Sequence, residues 1–167
     1  MTISSDELRK MAAKRLASRM VRDHMGVQNV PDPPAMEQED GELTVCLVHG
    51  RQTARKVLSL ALERGLESPV HRYGSCEDAL RYVNSYNVFV VYNNFGKRMN
   101  GAQGVARIRG LKPEALIIGV TSVPDFRHKF RAAGASDTVL LSGNEVGELI
   151  KKIEKSRVGG DSASKGR

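Results

Sequence analysis

The sequence predicts an α/β fold: a doubly wound, five-stranded parallel sheet in the order 2-1-3-4-5, with an N-terminal helical extension. Three observations predict it. Between residues 43 and 155, five short apolar runs alternate with five amphipathic stretches. The connections are short, which suits strands joined by crossover helices on both faces of a parallel sheet. The 167 residues suit one ordinary domain with extensions.

The elements follow in order. Residues 1–26 are expected to form a basic amphipathic helix. Ser4 or Ser5 caps it, and Asp6 and Glu7 lie in its first turn at the positive end of the dipole. Leu8, Met11, Ala12, Leu16 and Met20 recur at helical spacing, Lys10, Lys14, Arg15, Arg19 and Arg22 fill much of the rest, and Gly26 is a stop. The stripe is narrow and lacks Trp or Phe, which favours docking or dimerisation over a partner-binding or membrane-surface helix. Residues 27–42 are expected to be an acidic linker, because Pro31, Pro33 and Pro34 exclude a helix.

Within the core, LTVCLVH (43–49) reads as a buried strand. RQTARKVLSLALERG (51–65) reads as a helix with Val57, Leu58, Ala61 and Leu62 inward. SPVHRYG (68–74) is a short, partly polar strand, and SCEDALRYVNSY (75–86) a helix capped by Ser75. NVFVVYN (87–93) is a buried strand; GAQGVARIRGL (101–111) is a helix ending before Pro113. ALIIGVT (115–121) and SDTVLLS (136–142) are strands, separated by the helix DFRHKFRAAG (125–134). NEVGELIKKIEKS (144–156) closes the domain, and residues 156–167 are expected to be a disordered tail. The order 2-1-3-4-5 is the flavodoxin-like arrangement.

Composition excludes several classes. The longest apolar runs are a few residues, far short of a membrane span. Lys10, Lys14 and Arg15 interrupt any secretory core, and Asp6, Glu7 and Asp23 oppose a transit peptide, so a cytoplasmic protein is expected. Cys46 and Cys76 have no metal or disulfide spacing and read as buried small hydrophobes; a reactive role for Cys76 at a helix start is the weaker alternative. The net charge of +7 fits nucleic acid, anionic lipid or acidic protein partners without choosing among them. Few aromatics and no Trp disfavour base-stacking platforms.

In a sheet of this order, ligands bind beyond the carboxyl ends of the strands, near the switch point between strands 1 and 3. Strand 1 ends at His49, Gly50 and Arg51. Strand 3 ends at Asn93 and Asn94, followed by Lys97 and Arg98. Strand 4 ends at Thr121 and Ser122, and strand 5 near Leu141 and Ser142. None of these is a carboxylate. A magnesium site and paired-carboxylate acid–base work both require them. No nucleophile–base–orienter set assembles either. His49, Arg51, Lys97 and Arg98 form a candidate anion-binding set.

These residues carry a resemblance. Residues 43–155 resemble the receiver domains of two-component response regulators. NNFGKRMNG aligns with that family's phosphoacceptor loop, whose tail Met99, Asn100 and Gly101 keep; Thr121 matches its strand-4 Ser/Thr; FRAAGASD looks like its helix-4-to-strand-5 connection. By the same alignment, the phosphoacceptor Asp falls on Asn93 and the acidic metal-binding pair on His49 and Gly50. The strand-5 Lys falls on Leu141, the Pro after it on Ser142, and the switch aromatic on Thr138. The resemblance implies a receiver fold with a degenerate phosphoacceptor pocket at His49, Gly50, Asn93, Thr121 and Leu141. It further implies a pseudo-receiver with no catalytic residues, metal or cofactor, which is not an enzyme and acts in signalling through a protein partner. In receivers the helix 4–strand 5–helix 5 surface carries partner or dimer contacts. Here that face offers Phe126, Arg127, Lys129, Arg131 and Thr138, with Phe130 inward and Phe126 exposed. Homodimerisation is compatible with this expectation. The alternative is a nucleic-acid-associated regulator using the basic helix and helix 4 as a phosphate-contacting stripe.

Overall fold

The computed structural model describes residues 42–93 and 99–161. The expected N-terminal helix, the linker except Glu42, Asn94, Lys97, Arg98 and the end of the tail lie outside the described residues.

Five strands, β1 (Val45–Val48), β2 (Val70–Tyr73), β3 (Val88–Tyr92), β4 (Leu116–Thr121) and β5 (Asp137–Leu140), form one sheet in the order β2-β1-β3-β4-β5. Every pairing is parallel. Five helices alternate with them: α1 (Gln52–Leu66), α2 (Cys76–Leu80), α3 (Gly101–Leu111), α4 (Phe126–Ala132) and α5 (Glu145–Asp161). The strands read as near-continuous apolar runs because both faces are covered, and every residue of β1 and β3 is buried.

The two faces divide the core by strand alternation. Val45, Leu47, Val88, Val90, Tyr92, Ile118 and Val120 pack with Leu62 and Leu66 of α1 and Leu149 and Ile153 of α5. On the other face, Gly119 lies against Phe130 of α4, and Phe89 meets Tyr86 edge-on at 6.0 Å between ring centroids. Asn87 ties the sheet's amino edge together. Its side chain accepts from the Thr44 amide (2.9 Å) and donates to the Glu42 carbonyl (2.7 Å), while the Thr44 hydroxyl accepts from the Asn87 amide (3.0 Å).

Three expectations are corrected here. Val57 is 62 % exposed rather than inward. Leu58, Leu62 and Leu66 already occupy the inner stripe at four-residue spacing, and Val57 is turned about 100° away from Leu58. The helix expected over 75–86 is instead the short α2 and a separate 3₁₀ turn at Val83–Ser85. Ser75 does cap α2, accepting from the Asp78 amide at 3.2 Å. The break lies at Tyr82, whose φ of −122° leaves helical space. Beyond it the Tyr86 hydroxyl is drawn inward to the Tyr73 hydroxyl (2.6 Å) and His71 Nδ1 (2.8 Å), a packing demand that outweighs helix continuity. Finally, α5 runs to Asp161, past the expected tail start at 156. Nothing between Ser156 and Val158 breaks a helix, and the Ser156 hydroxyl bonds back to the Ile153 carbonyl (2.6 Å).

Candidate functional site

Sheet register places the ends of the strands side by side. Val48 pairs with Val91, Tyr92 with Val120, and Thr121 with Leu140. One step or two beyond, Gly50 lies level with Asn93, Asn93 with Thr121, and Ser122 with Leu141. Main-chain bonds extend the ladder: the Asn93 amide donates to the Val120 carbonyl (2.9 Å) and the Leu141 amide to the Thr121 carbonyl (2.9 Å). His49, Gly50, Asn93, Thr121 and Leu141 therefore form one row along the carboxyl edge.

The side chains in that row differ in what they can do. Thr121 is buried, and its hydroxyl accepts from the Val123 amide at 3.1 Å, so it shapes the β4–α4 turn. Leu141 is 39 % exposed and offers only an apolar surface. His49 is half-buried with its ring 4.6 Å from that of Tyr92. Its Nδ1 accepts from the Arg51 amide (3.0 Å), so the neutral ring carries its proton on Nε2. Burial lowers the His49 pKa, the backbone bond opposes this, and the charges of Arg55 and Arg51 lower it further. The imidazole is held neutral, as a donor, at physiological pH.

Cations gather behind His49. Arg55 Nη1 donates to the His49 carbonyl at 2.9 Å. Arg72 reaches the Ser59 hydroxyl at 3.3 Å. Burial depresses the Arg55 pKa, Arg72 depresses it further by repulsion, and Asp78 partly compensates. Arg51 is the N-cap of α1, which no side chain caps and whose first turn holds no acidic residue. Of the expected anion-binding set, the structure thus joins His49 and Arg51, while Lys97 and Arg98 fall outside the described residues. It adds Arg55 and Arg72. Both had a signal in the sequence: Arg55 follows Arg51 by one helical turn, and Arg72 lies within the strand that neighbours strand 1 in the order 2-1-3.

The magnesium ion of typical receivers does not fit these residues. The positions that would supply its acidic pair and its aspartate hold an imidazole, a glycine and an amide, with arginines alongside, and those positions bring no hard carboxylate ligand. Among the described residues no group of three or more His, Cys, Asp or Glu side chains gathers as a ligand set.

A second feature was not foreseen. Tyr92 Oη, both amide atoms of Asn93 and Glu145 Oε2 are buried without a hydrogen-bond partner. Burial, with the Glu145 carboxylate nearby, pushes the Tyr92 phenol well above its usual range. An unpaired buried hydroxyl costs about 1–3 kcal/mol. Tyr92→Phe, which keeps the ring against His49, is therefore expected to raise stability by about 1 kcal/mol in urea unfolding; a loss of that size would reveal a partner for the hydroxyl.

The expected interaction face is corrected at two positions. Phe126 is 8 % exposed and packs edge-on against Phe130 at 5.4 Å, since two residues four apart share the inner side of α4. Thr138 is 2 % exposed, and its hydroxyl accepts from Arg127 Nε at 3.1 Å. What the face presents is cationic: Lys129, with its ammonium 4.9 Å from the Phe126 ring centroid, and Arg131, with Arg127 half-buried between. The neighbouring Lys152 pairs with Asp137 at 2.5 Å. Cys46 and Cys76 are both buried and free, and burial pushes the Cys76 thiol up to about 12, which removes the reactive alternative for it.

No family model matches the sequence, and no curated protein is similar to it. Solved structures do match. A CheY-like receiver domain protein from Methanospirillum hungatei aligns with 73 % of this chain and 98 % of its own, with a TM-score of 0.64 at 16 % identity. The response regulator TrrA of Thermotoga maritima, solved in complex with Mg²⁺ and BeF, aligns over 68 % and 98 %, with a TM-score of 0.61 at 22 % identity. An orphan response regulator of H. pylori aligns over 70 % and 97 %, with a TM-score of 0.56 at 20 % identity. The described residues have the fold of response regulator receiver domains.

Proposed function

We propose that the protein is a pseudo-receiver: a signalling module that takes no phosphoryl group at the carboxyl edge and acts by binding a protein partner. The observation that carries this reading is the row His49, Gly50, Asn93, Thr121 and Leu141. An amide is a poor nucleophile and brings no charge to a metal. An imidazole and a glycine replace the acidic pair, and a leucine replaces the lysine. TrrA was solved with Mg²⁺ and BeF; such a pair calls for carboxylates that this edge lacks. The fold remains as a scaffold, and the cationic outer side of α4 is its docking face, suited to an acidic protein surface.

The test has two parts on the full-length chain. Incubation with acetyl phosphate and Mg²⁺ is expected to give no phosphoprotein by intact mass, and stoichiometric labelling would end the pseudo-receiver reading. Affinity capture from nuclease-treated host lysate is then compared between wild type and the Lys129→Glu/Arg131→Glu double variant. A protein retained by wild type and lost from the variant supports the α4 face. If only nucleic acid is recovered, and only without nuclease, the basic surface serves nucleic acid instead.

A further inference from the structure

We propose that the hydrogen-bond chain Tyr73–Tyr86–His71 is a pH-sensitive latch: it holds residues 82–86 out of α2 while His71 is neutral and loosens them when His71 takes up a proton. His71 and Tyr73 stand on the edge strand β2. Tyr86 follows the 3₁₀ turn Val83–Ser85, which interrupts the helix begun at Cys76. The Tyr73 and Tyr86 hydroxyls lie 2.6 Å apart, and the Tyr86 hydroxyl lies 2.8 Å from His71 Nδ1. Ring contacts reinforce the arrangement: Tyr82 stacks on Tyr73 at 5.9 Å between centroids, and Tyr86 meets Tyr73 edge-on at 6.0 Å. Tyr73 and Tyr86 are buried, while His71 is half-buried and open to solvent protons.

A count of donors sets the polarity of the chain. Two contacts link the three groups. With the His71 proton on Nε2, Nδ1 accepts from Tyr86 and Tyr86 accepts from Tyr73, so each phenol proton has an acceptor. An imidazolium carries a proton on both nitrogens. Three donors then share two contacts, and whichever way the hydroxyls turn, one buried phenol proton is left without an acceptor. The phenols do not relieve this by ionising: burial pushes Tyr73 up to about 12 and Tyr86 well above its usual range. Burial also holds the His71 pKa below its ordinary value, and the Glu63 carboxylate on α1 opposes this. That carboxylate is itself engaged, accepting from the Val70 amide at 3.2 Å. On β1, Cys46 pairs in register with His71 and is a neutral thiol, because burial raises its pKa. On α2, Asp78 faces Tyr73 and pairs with Arg81 at 3.8 Å. Arg72 turns to the Ser59 hydroxyl of α1. His71 therefore binds a proton more weakly with the latch closed than with it open. The hold is fully present above the ordinary histidine value of 6.5 and is lost as pH falls through the lowered His71 pKa of the closed form. Val83 and the Tyr86 ring are buried and still favour the closed position, so acid raises the open population without unfolding the domain. The latch stands apart from the α4 face, and neither outcome of the capture experiment bears on it.

The test is ¹⁵N NMR of the full-length protein between about pH 7.5 and about pH 5, across the histidine range. Imidazole ¹⁵N shifts are expected to show His71 as the Nε2–H tautomer at neutral pH, with a pKa below the ordinary 6.5. Amide exchange, corrected for its intrinsic pH dependence, reads the opening. The Tyr82 and Ser85 amides donate to the Ala79 and Tyr82 carbonyls at 3.1 and 2.9 Å. Their protection is expected to fall about tenfold across the range, as a one-unit difference in proton affinity between closed and open forms gives. The Asn93 amide, bonded to the Val120 carbonyl in the sheet, loses far less, which separates opening of the turn from unfolding. His71→Asn offers an amide oxygen near the place of Nδ1 and does not titrate, so protection at Tyr82 and Ser85 stays flat with pH. Tyr86→Phe removes the latch: it raises the His71 pKa and leaves the two amides equally open at both ends of the range. An Nδ1–H tautomer at neutral pH overturns the proposal. So does protection in wild type that is flat with pH, a fall shared equally by Asn93, or a fall that persists in His71→Asn.

Discussion

Gly119→Val is expected to destabilise the protein by about 3 kcal/mol and lower its melting temperature by about 10 °C. The reason is a single close approach. A Cβ at Gly119 would stand 2.4 Å from Phe130 Cγ, and one at Gly101 would stand 3.1 Å from the far edge of the same ring. Phe130 thus lies in a slot made by two glycines, one in the middle of β4 and one at the start of α3. The ring is fully buried and cannot swing outward without moving α4. Any side chain at 119 displaces that helix, and with it Lys129 and Arg131. Partner capture through the α4 face should therefore fall with stability, although position 119 is itself buried. A second change separates this cause from a general intolerance of β4. Phe130→Leu removes the clashing ring, so it should cost less in the Gly119→Ala background than in wild type, a coupling readable in a double-mutant cycle. Additive losses would exclude the slot as the cause.

Arg109→Ala carries the other large effect, an expected loss of about 2–3 kcal/mol in urea unfolding. The Arg109 guanidinium, at the end of α3, bonds four acceptors on the approach to β4 and β5. Nε donates to the Gly134 carbonyl (2.8 Å), Nη1 to the carbonyls of Pro113 and Ala115, and Nη2 to the Ser136 hydroxyl (2.9 Å). Ser136 in turn accepts from the Ile117 amide at 3.0 Å. Gly134, at φ 100°, adopts the left-handed turn that presents its carbonyl to the arginine. Removing the guanidinium unties the amino ends of β4 and β5 together. Arg109→Lys is expected to recover less than half of the loss, because an ammonium cannot reach acceptors spread around a planar fork. Full recovery with Lys would reduce Arg109 to a simple charge contact.

Much of this molecule was legible in the chain. β1, β3 and β4 read as continuous apolar runs because they are covered on both faces, and that signal is hard to mistake. The GAQGVARIRGL helix begins and ends where expected, with Asn100 and Gln103 forming a reciprocal cap at its start. That His49, Gly50, Asn93, Thr121 and Leu141 stand at the strand ends was equally plain, because it concerns residue identity at fixed positions. Other features were not plain, for physical reasons. Phe126 and Phe130 both belong to an amphipathic pattern, but periodicity does not say how wide an inner stripe the sheet will accept. Tyr86 pulls the chain out of helix through partners at residues 71 and 73, too distant in sequence to weigh in a local reading.

The sequence by itself determined the alternation of strands and helices, and hence the sheet order, because burial and handed crossovers leave few other ways to pair such runs. It also determined that amides and cations stand at the strand ends. Only the tertiary structure decided which cations meet. Arg55 and Arg72, 17 positions apart in the chain, come within electrostatic reach of each other because β2 lies beside β1 and α1 returns across them. Only packing, likewise, left Tyr92 Oη, the Asn93 amide atoms and Glu145 Oε2 buried without hydrogen-bond partners. Whether a polar group is satisfied depends on the distance to its neighbours, and the fold alone sets that distance.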